Sequence, residues 1–248
     1  DAMLAPASKI LLDEISTHSS SNLLEIGCGA GDLAENVLAI NKRSTIDAMD
    51  ISYNILILAE ERVGEVNGIN FMHGDAEIYK FKNYFYDLVY SRFGVMFFDN
   101  PKAAFSNIRK SIKKNGKLIF LSWDKIENNP WMDYPAQAAF KILPQPEKQK
   151  ENSPGAFSLS DKAVIKETLV NSGFNHVISR KFDIKINLGE LEQAVHFATQ
   201  LGPAATPYAE AGDSQKNEAK AAIKDELSKF KHAENILLPG SCWLTTVD

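Results

Sequence analysis

The sequence predicts an α/β fold built on a largely parallel sheet. Two observations point there. Short apolar runs recur at 23–26, 46–49, 69–72, 87–90 and 117–123, and amphipathic stretches of helical length lie between most of them. A glycine-rich turn directly follows the first run, at 27–31. Strands joined through helices of this length imply right-handed crossovers and a parallel sheet.

In chain order, Leu23-Leu24-Glu25-Ile26 reads as a buried strand, and a helix follows with Leu33, Ala34, Val37 and Leu38 on one face. Ile46 to Met49 makes a second strand closing on Asp50, and its helix places Ile55, Leu58, Ala59, Arg62 and Val66 at spacings of three and four. Strands at Ile69–Met72 and Asp87–Tyr90 come next. A helix then begins at Pro101, faces inward through Ala104, Phe105, Ile108 and Ile112, and stops at Gly116 before a fifth strand, Lys117 to Trp123.

After Trp123 the rhythm changes. Five prolines fall between 125 and 157, around a helix candidate at 131–143, and Glu147 to Glu151 reads as a solvated loop. Ser160 is placed to cap a helix through Leu169 and Val170 that Gly173 ends. Val177 to Ile186 suits a long strand. Two helices are marked by Leu191, Ala194, Val195, Ala198 and Leu201, and by Ala219, Ala222, Ile223, Leu227 and Phe230. Pro239-Gly240 turns into a last strand, Cys242 to Val247.

Composition bounds the function. With 248 residues, 44% of them hydrophobic, the chain can bury a sizeable core. A net charge of -5 argues against a dedicated nucleic-acid binder. No apolar run is long enough to span a bilayer. Two cysteines, Cys28 and Cys242, and no signal-peptide pattern at the start suit a reducing cytoplasm.

The informative segment is Glu25-Ile26-Gly27-Cys28-Gly29-Ala30-Gly31-Asp32, between a strand and a helix. Glycines there let the backbone turn tightly and approach a ligand, and a helix N-terminus suits an anion. A dinucleotide fingerprint would place its third glycine at position 32, but Asp32 stands there and the glycine comes early, at Gly31. This acid-x-Gly-x-Gly-x-Gly pattern resembles motif I of the class I S-adenosylmethionine-dependent methyltransferases. Asp50 at the end of strand two, Gly74-Asp75-Ala76 after strand three, Tyr86-Asp87-Leu88-Val89-Tyr90-Ser91 at motif IV and Asn115-Gly116-Lys117-Leu118 before strand five strengthen the likeness. Ser91-Arg92-Phe93-Gly94-Val95-Met96-Phe97-Phe98, Asn129-Pro130-Trp131-Met132, Pro154-Gly155-Ala156-Phe157-Ser158-Leu159 and Trp243-Leu244-Thr245-Thr246 resemble a bacterial subgroup related to ubiquinone and menaquinone methyltransferases (the methyltransferase type 11-like group).

The resemblance implies a Rossmann-like, seven-stranded, mostly parallel sheet of order 3-2-1-4-5-7-6, with strand seven antiparallel and helices on both faces. It implies one domain over 1–248, in which 22–124 hold the cofactor half while 125–160 and 190–240 form a helical cover over the acceptor. The cofactor would be S-adenosylmethionine, leaving as S-adenosylhomocysteine, across the carboxyl ends of strands one to four. Its contacts would be Glu25, Gly27, Cys28, Gly29, Gly31, Asp50, Ile51, Asp75, Ala76, Ser91 and Arg92. Asp50 would accept the ribose hydroxyls and Asp75 would meet the adenine amino group; the alternative is that each simply caps the segment that follows. Tyr79-Lys80-Phe81 departs from the family's usual Leu-Pro-Phe and implies a changed lid surface.

Other residues carry alternatives. Cys28 is a nucleophile or simply a small residue in a glycine turn. The five histidines lack ligand spacing, so no metal site is expected. His196 is an acceptor-side base or a packed or surface histidine; Trp131 and Phe157 line the acceptor pocket or pack the added segment. Arg92 is a hand on substrate or cofactor, or a surface ion pair. Arg109-Lys110, Lys113-Lys114 and Lys117 read as a nucleic-acid patch or as cations suiting a helix C-terminus. The functional expectation is methyl transfer to O, N or C of a small molecule, with no catalytic residue legible. The competing expectations are a catalytically silent cofactor-binding module, a nicotinamide dehydrogenase and a nucleic-acid methyltransferase.

Overall fold

The computed structural model describes residues 2–64, 66–146 and 153–248. Within it the strands run β1 (Asn22–Ile26), β2 (Thr45–Asp50), β3 (Ile69–His73), β4 (Tyr86–Arg92), β5 (Ile112–Trp123), β6 (Ile178–Asn187), β7 (Lys231–His232) and β8 (Asn235–Val247). The sheet order is β3-β2-β1-β4-β5-β8-β6, with β7 a short hairpin arm on β8. Neighbours from β3 through β5 are parallel, and β8 runs antiparallel to β5. That is the expected order, with β8 as the seventh long strand.

The helices are α1 (Ala5–Ser16), α2 (Asp32–Ile40), α3 (Tyr53–Val63), α4 (Pro101–Ser111), α5 (Pro130–Ala139), α6 (Lys162–Asn171), α7 (Leu191–Gln200), α8 (Ala205–Glu210) and α9 (Asp213–Ser228). The described residues fall into two compact units. One comprises the described parts of Ala7–Trp123, Asn152–Phe182 and Cys242–Asp248; the other takes the described parts of Asp1–Pro6, Asp124–Glu151 and Asp183–Ser241.

In the larger unit the central strands are apolar on both faces, as a doubly covered parallel sheet requires: Leu23, Leu24, Ile46, Ala48, Leu88, Val89, Leu118, Ile119 and Phe120 are fully buried. Helix α1 turns Ala7, Leu11 and Ile15 inward at a spacing of four. Helix α4 starts with Asn100 accepting the Ala103 N–H at 3.0 Å, followed by Pro101 at its first position. In the smaller unit α9 packs on α5 and α7. Its core holds Trp131 and Ala139, Ala194 and Val195, and Ala219, Ile223 and Leu227.

Several elements differ from the sequence reading, each for a physical reason. Helix α3 buries Leu56, Ala59 and Val63, while Leu58 is 56% exposed and Val66 lies beyond the helix. Its apolar residues are numerous enough to support two phases, and packing selects this one. Helix α4 ends at Ser111, before Gly116. Strand β5 begins at once, with a bulge that moves its pairing from Tyr86–Ile112 to Leu88–Lys117. Gly116 sits inside that bulge because a Cβ would come within 2.9 Å of the Tyr86 and Asp87 carbonyls. Helix α5 ends at Ala139, short of 143. Asp161, not Ser160, caps α6, taking the Ala163 N–H at 2.8 Å. Strand β8 starts at Asn235 and runs through Pro239-Gly240 without turning. Of the adjacent phenylalanines after β4, Phe98 is buried and Phe97 is 58% exposed. The loop expected at Glu147–Glu151 lies outside the described residues.

Candidate cofactor site

Strand β1 ends at Ile26, and the chain folds back on the end of β2: the Gly27 and Cys28 N–H groups both donate to the Met49 carbonyl, at 2.8 and 2.9 Å. Gly27, Gly29 and Gly31 all have positive φ (71°, 54° and 77°), a region L side chains enter only under strain. The three do different work. A Cβ on Gly27 would sit 2.9 Å from Gly94 Cα, and one on Gly31 would meet the Phe71 ring at 2.8 Å, so both are glycines because the fold is packed against them. At Gly29 a Cβ would find only the Ile55 Cδ1 methyl, at 3.9 Å. The space over Gly29 is open to a ligand.

Asp50, the last residue of β2, spans this loop and the next. Its Oδ2 accepts the Gly29 N–H at 2.9 Å and its Oδ1 the Ser52 N–H at 2.9 Å. Its carbonyl accepts the Gly74 N–H at 3.1 Å, tying the end of β3 to the end of β2. Just beyond, Asp75 Oδ1 closes a turn on the Glu77 N–H at 2.9 Å, and Ala76 is buried. Ile51 and Ile78, which follow these strand ends, are 68% and 79% exposed, two apolar surfaces beside two carboxylates.

Under the loop lies a buried polar group. Glu25 is 1% exposed and accepts the Tyr90 hydroxyl at 3.2 Å. Burial pushes its carboxyl up to about 8; the Arg92 guanidinium and the Tyr90 hydrogen bond work against that rise, while Asp32 and Asp50 add to it. Burial, then Glu25, also holds the Tyr90 hydroxyl well above its usual range. Burial, with Glu25 and Asp50, pushes the Cys28 thiol up as well. A thiol held protonated is a poor nucleophile, so the small-residue reading of Cys28 fits this environment.

Ser91 and Arg92 end β4. The Ser91 hydroxyl is fully buried, donating to the Ile26 carbonyl at 2.7 Å and accepting the Gly94 N–H at 3.1 Å. Its polar capacity goes into clamping the turn after β4 against the glycine loop. Arg92 donates to Ser8 Oγ on α1 and to Asp32 Oδ2 at 3.3 Å on α2, making it a tie between two helices.

The three acceptor-side expectations separate. Trp131 is 5% exposed, and its indole N–H donates to Asn129 Oδ1 at 3.1 Å within the smaller unit. His196 is exposed on α7 of that unit. It lines a hollow of about 690 Å³ with Met3, Leu188, Gln193, Phe197 and Gln200. Phe157 is half-buried in the larger unit, in a turn held by Gly155 N–H and Ser158 Oγ donating to the Met96 carbonyl at 3.1 and 2.6 Å. Among the described residues no three His, Cys, Asp or Glu side chains gather into a metal site. No helix among the described residues is long and apolar enough to cross a membrane.

Sequence reasoning missed Tyr90 as the partner of Glu25, Gly94 as the counterpart of Gly27, and Ser8. The first two stand inside Tyr90-Ser91-Arg92-Phe93-Gly94, a stretch read for likeness alone. Nothing in the sequence around Ser8 signals its role.

Residues 24–120, from β1 to β5, match the family described as a methyltransferase domain. That segment carries the likeness, and it makes up less than half of the chain. The malonyl-[acyl-carrier protein] O-methyltransferase 2 of Ilyobacter polytropus is 32% identical over 104 residues, 42% of this chain and 40% of that protein. The demethylmenaquinone methyltransferase of Leptospira interrogans is 31% identical over 144 residues, 54% of this chain and 56% of that protein. The chain thus spans about half the length of the curated relatives it matches. Among solved structures, the Haemonchus contortus phosphoethanolamine N-methyltransferase 2 in complex with S-adenosyl-L-methionine superposes with a TM-score of 0.59 at 17% identity. That alignment covers 98% of this chain and 52% of that one, and it shows a shared fold. The matched segment ends inside β5, so it contains every residue of the glycine loop and of the Asp50 and Asp75 turns.

Proposed function

We infer that the chain transfers the methyl group of S-adenosylmethionine to a small-molecule acceptor at O, N or C. The observation that carries this reading is the open space over Gly29, whose N–H the Asp50 carboxylate holds at the end of β2. The residues fit the cofactor. Each Asp50 oxygen holds one backbone N–H and keeps acceptor capacity for a ribose hydroxyl. Asp75 stands at the adenine end, with Ile51 as an apolar face and Ala76 closing the floor. Glu25, buried and hydrogen-bonded to Tyr90, sets a polar group under the methionine end, and Arg92 braces α1 and α2 beside it. Gly27, Cys28 and Gly31 shape the loop.

When bound, the cofactor supplies a methyl already activated on a sulfonium, so the protein's part is orientation and exclusion of water. Such positioning contributes roughly 7–11 kcal/mol in favourable cases. A general base, worth around 10²–10⁴-fold, is needed only for an acceptor that arrives protonated. Cys28 and Tyr90, held protonated beside the loop, do not suit that role. His196, Trp131 and Phe157 remain the acceptor-side residues of this reading, His196 being the exposed one. The test is transfer of labelled methyl from S-adenosylmethionine to a metabolite extract. A labelled small product supports transfer, and cofactor binding without product supports a silent cofactor-binding module.

A further inference from the structure

A second hollow opens at the other end of the same strands. It measures about 470 Å³ and is lined by Thr17, His18, Ser19 and Ser20 ahead of β1, Asp87 and Leu88 of β4, and 113–117 of β5. In a chain of net charge -5 its lining is locally cationic. Asp87 neutralises one lysine: its Oδ1 takes the Lys113 ammonium at 2.7 Å, while Oδ2 takes the Ser21 and Asn22 N–H groups at 3.1 and 3.0 Å. Lys114 and Lys117 have no carboxylate partner among the described residues. The hydroxyls of Ser19 and Ser20 and the Asn115 amide add neutral donors to the same wall.

His18 supplies an independent observation. Its ring lines the hollow, and its Nε2 is shut off from solvent with no hydrogen-bond partner among the described residues. Buried polar atoms are ordinarily paired. Burial and then Lys117 push the ring pKa down, against Glu14, which pushes it up. Lys113, Lys114 and Asp87 complete the charged groups that line the hollow with it.

We propose that this hollow binds a phosphate monoester, with Lys114 and Lys117 as its charge partners. Two uncompensated ammonium groups match a phosphate that carries nearly two negative charges at neutral pH; a carboxylate would leave one unmatched. The volume holds a phosphate with an organic group attached. Apart from His18 the lining contains no aromatic ring, so nothing there would stack a nucleobase. The site lies at the amino ends of β1 and β4, opposite the glycine loop, and does not depend on methyl transfer.

The test uses the full chain with inorganic phosphate and glycerol phosphate as probes, and sodium chloride at matched ionic strength as control. Thermal unfolding and the His18 ring NMR titration are both read. Saturable stabilisation by both phosphates but not by chloride, with the His18 pKa moving upward, is expected. It should fall at least tenfold in apparent affinity in Lys114→Gln/Lys117→Gln and survive in Lys42→Gln/Lys102→Gln, which removes the same charge elsewhere. Lys114→Glu alone, at an exposed position, repeats the test should the double variant fold poorly. Equal stabilisation by chloride, or an unchanged response in the Lys114 and Lys117 variants, would overturn the proposal and leave these lysines as ordinary surface cations of β5.

Discussion

Asp50 Oδ2 accepts the Gly29 N–H at 2.9 Å, so the last residue of β2 holds the middle glycine of the β1–α2 loop. The three loop glycines differ in what stands against them, and that difference is measurable. Gly27→Ala combines left-handed strain with overlap on Gly94, and a loss of about 2–4 kcal/mol is expected in urea unfolding. Gly29→Ala meets no such obstacle. Its cost is expected near 1 kcal/mol from strain alone, with its larger effect on cofactor affinity. Equal losses of stability in the two variants would contradict this division.

Glu25 makes stability fall with pH in a defined window. Its carboxyl is raised in the fold to about 8, from 4.5, so the folded state holds its proton more tightly than the unfolded one. The stabilising contribution is complete below the unfolded value and is lost as pH rises through the folded one. Denaturation at pH steps from 5 to 8 should show a downward slope that Glu25→Gln removes. Parallel profiles for the two proteins would sink the assignment.

Phe93 sits at φ +65° and stacks on Trp123, with centroids 3.9 Å apart and planes 9° apart. Phe93→Ala keeps the strained backbone and loses the ring, at roughly 3–5 kcal/mol. Phe93→Gly loses the same ring but relieves the backbone. The glycine variant should therefore be the more stable by about 1 kcal/mol. The reverse order in equilibrium unfolding would show that the positive φ carries no strain.

Asn129 is fully buried. Its Oδ1 accepts both the Ser241 N–H at 3.0 Å and the Trp131 indole N–H at 3.1 Å. Asn129→Ala takes the Oδ1 acceptor away from two buried donors, at about 1–3 kcal/mol each. A loss of at least about 2 kcal/mol, with a shifted tryptophan emission, is expected; unchanged emission and stability would show that Trp131 needs no such anchor.

The parallel half was legible because its signals are local. Apolar runs mark β1, β2 and β4, and Asn100-Pro101 announces α4. The glycine loop was readable from spacing, since only glycine tolerates three positive φ values in five residues. Choices made by tertiary packing were not legible. Both apolar phases of α3 are plausible until β3 and the Phe71 ring select one. Pro239 stops a strand in isolation, yet β8 continues through it. Helix α1 shows only three inward apolar residues, four apart, in a stretch with no cap to announce it. At the site, Asp50 and Asp75 could be placed by position. Ser91 could not be read as a clamp, because its partners, the Ile26 carbonyl and the Gly94 N–H, are backbone groups that sequence does not display.

The most direct test is calorimetric titration of the full chain with S-adenosylmethionine, in wild type and in Asp50→Ala. Saturable one-to-one binding by the wild type is expected. Asp50→Ala should weaken it at least tenfold, about 1.4 kcal/mol, with the far-UV spectrum unchanged. No binding by the folded wild type, or equal affinity in the variant, would contradict it.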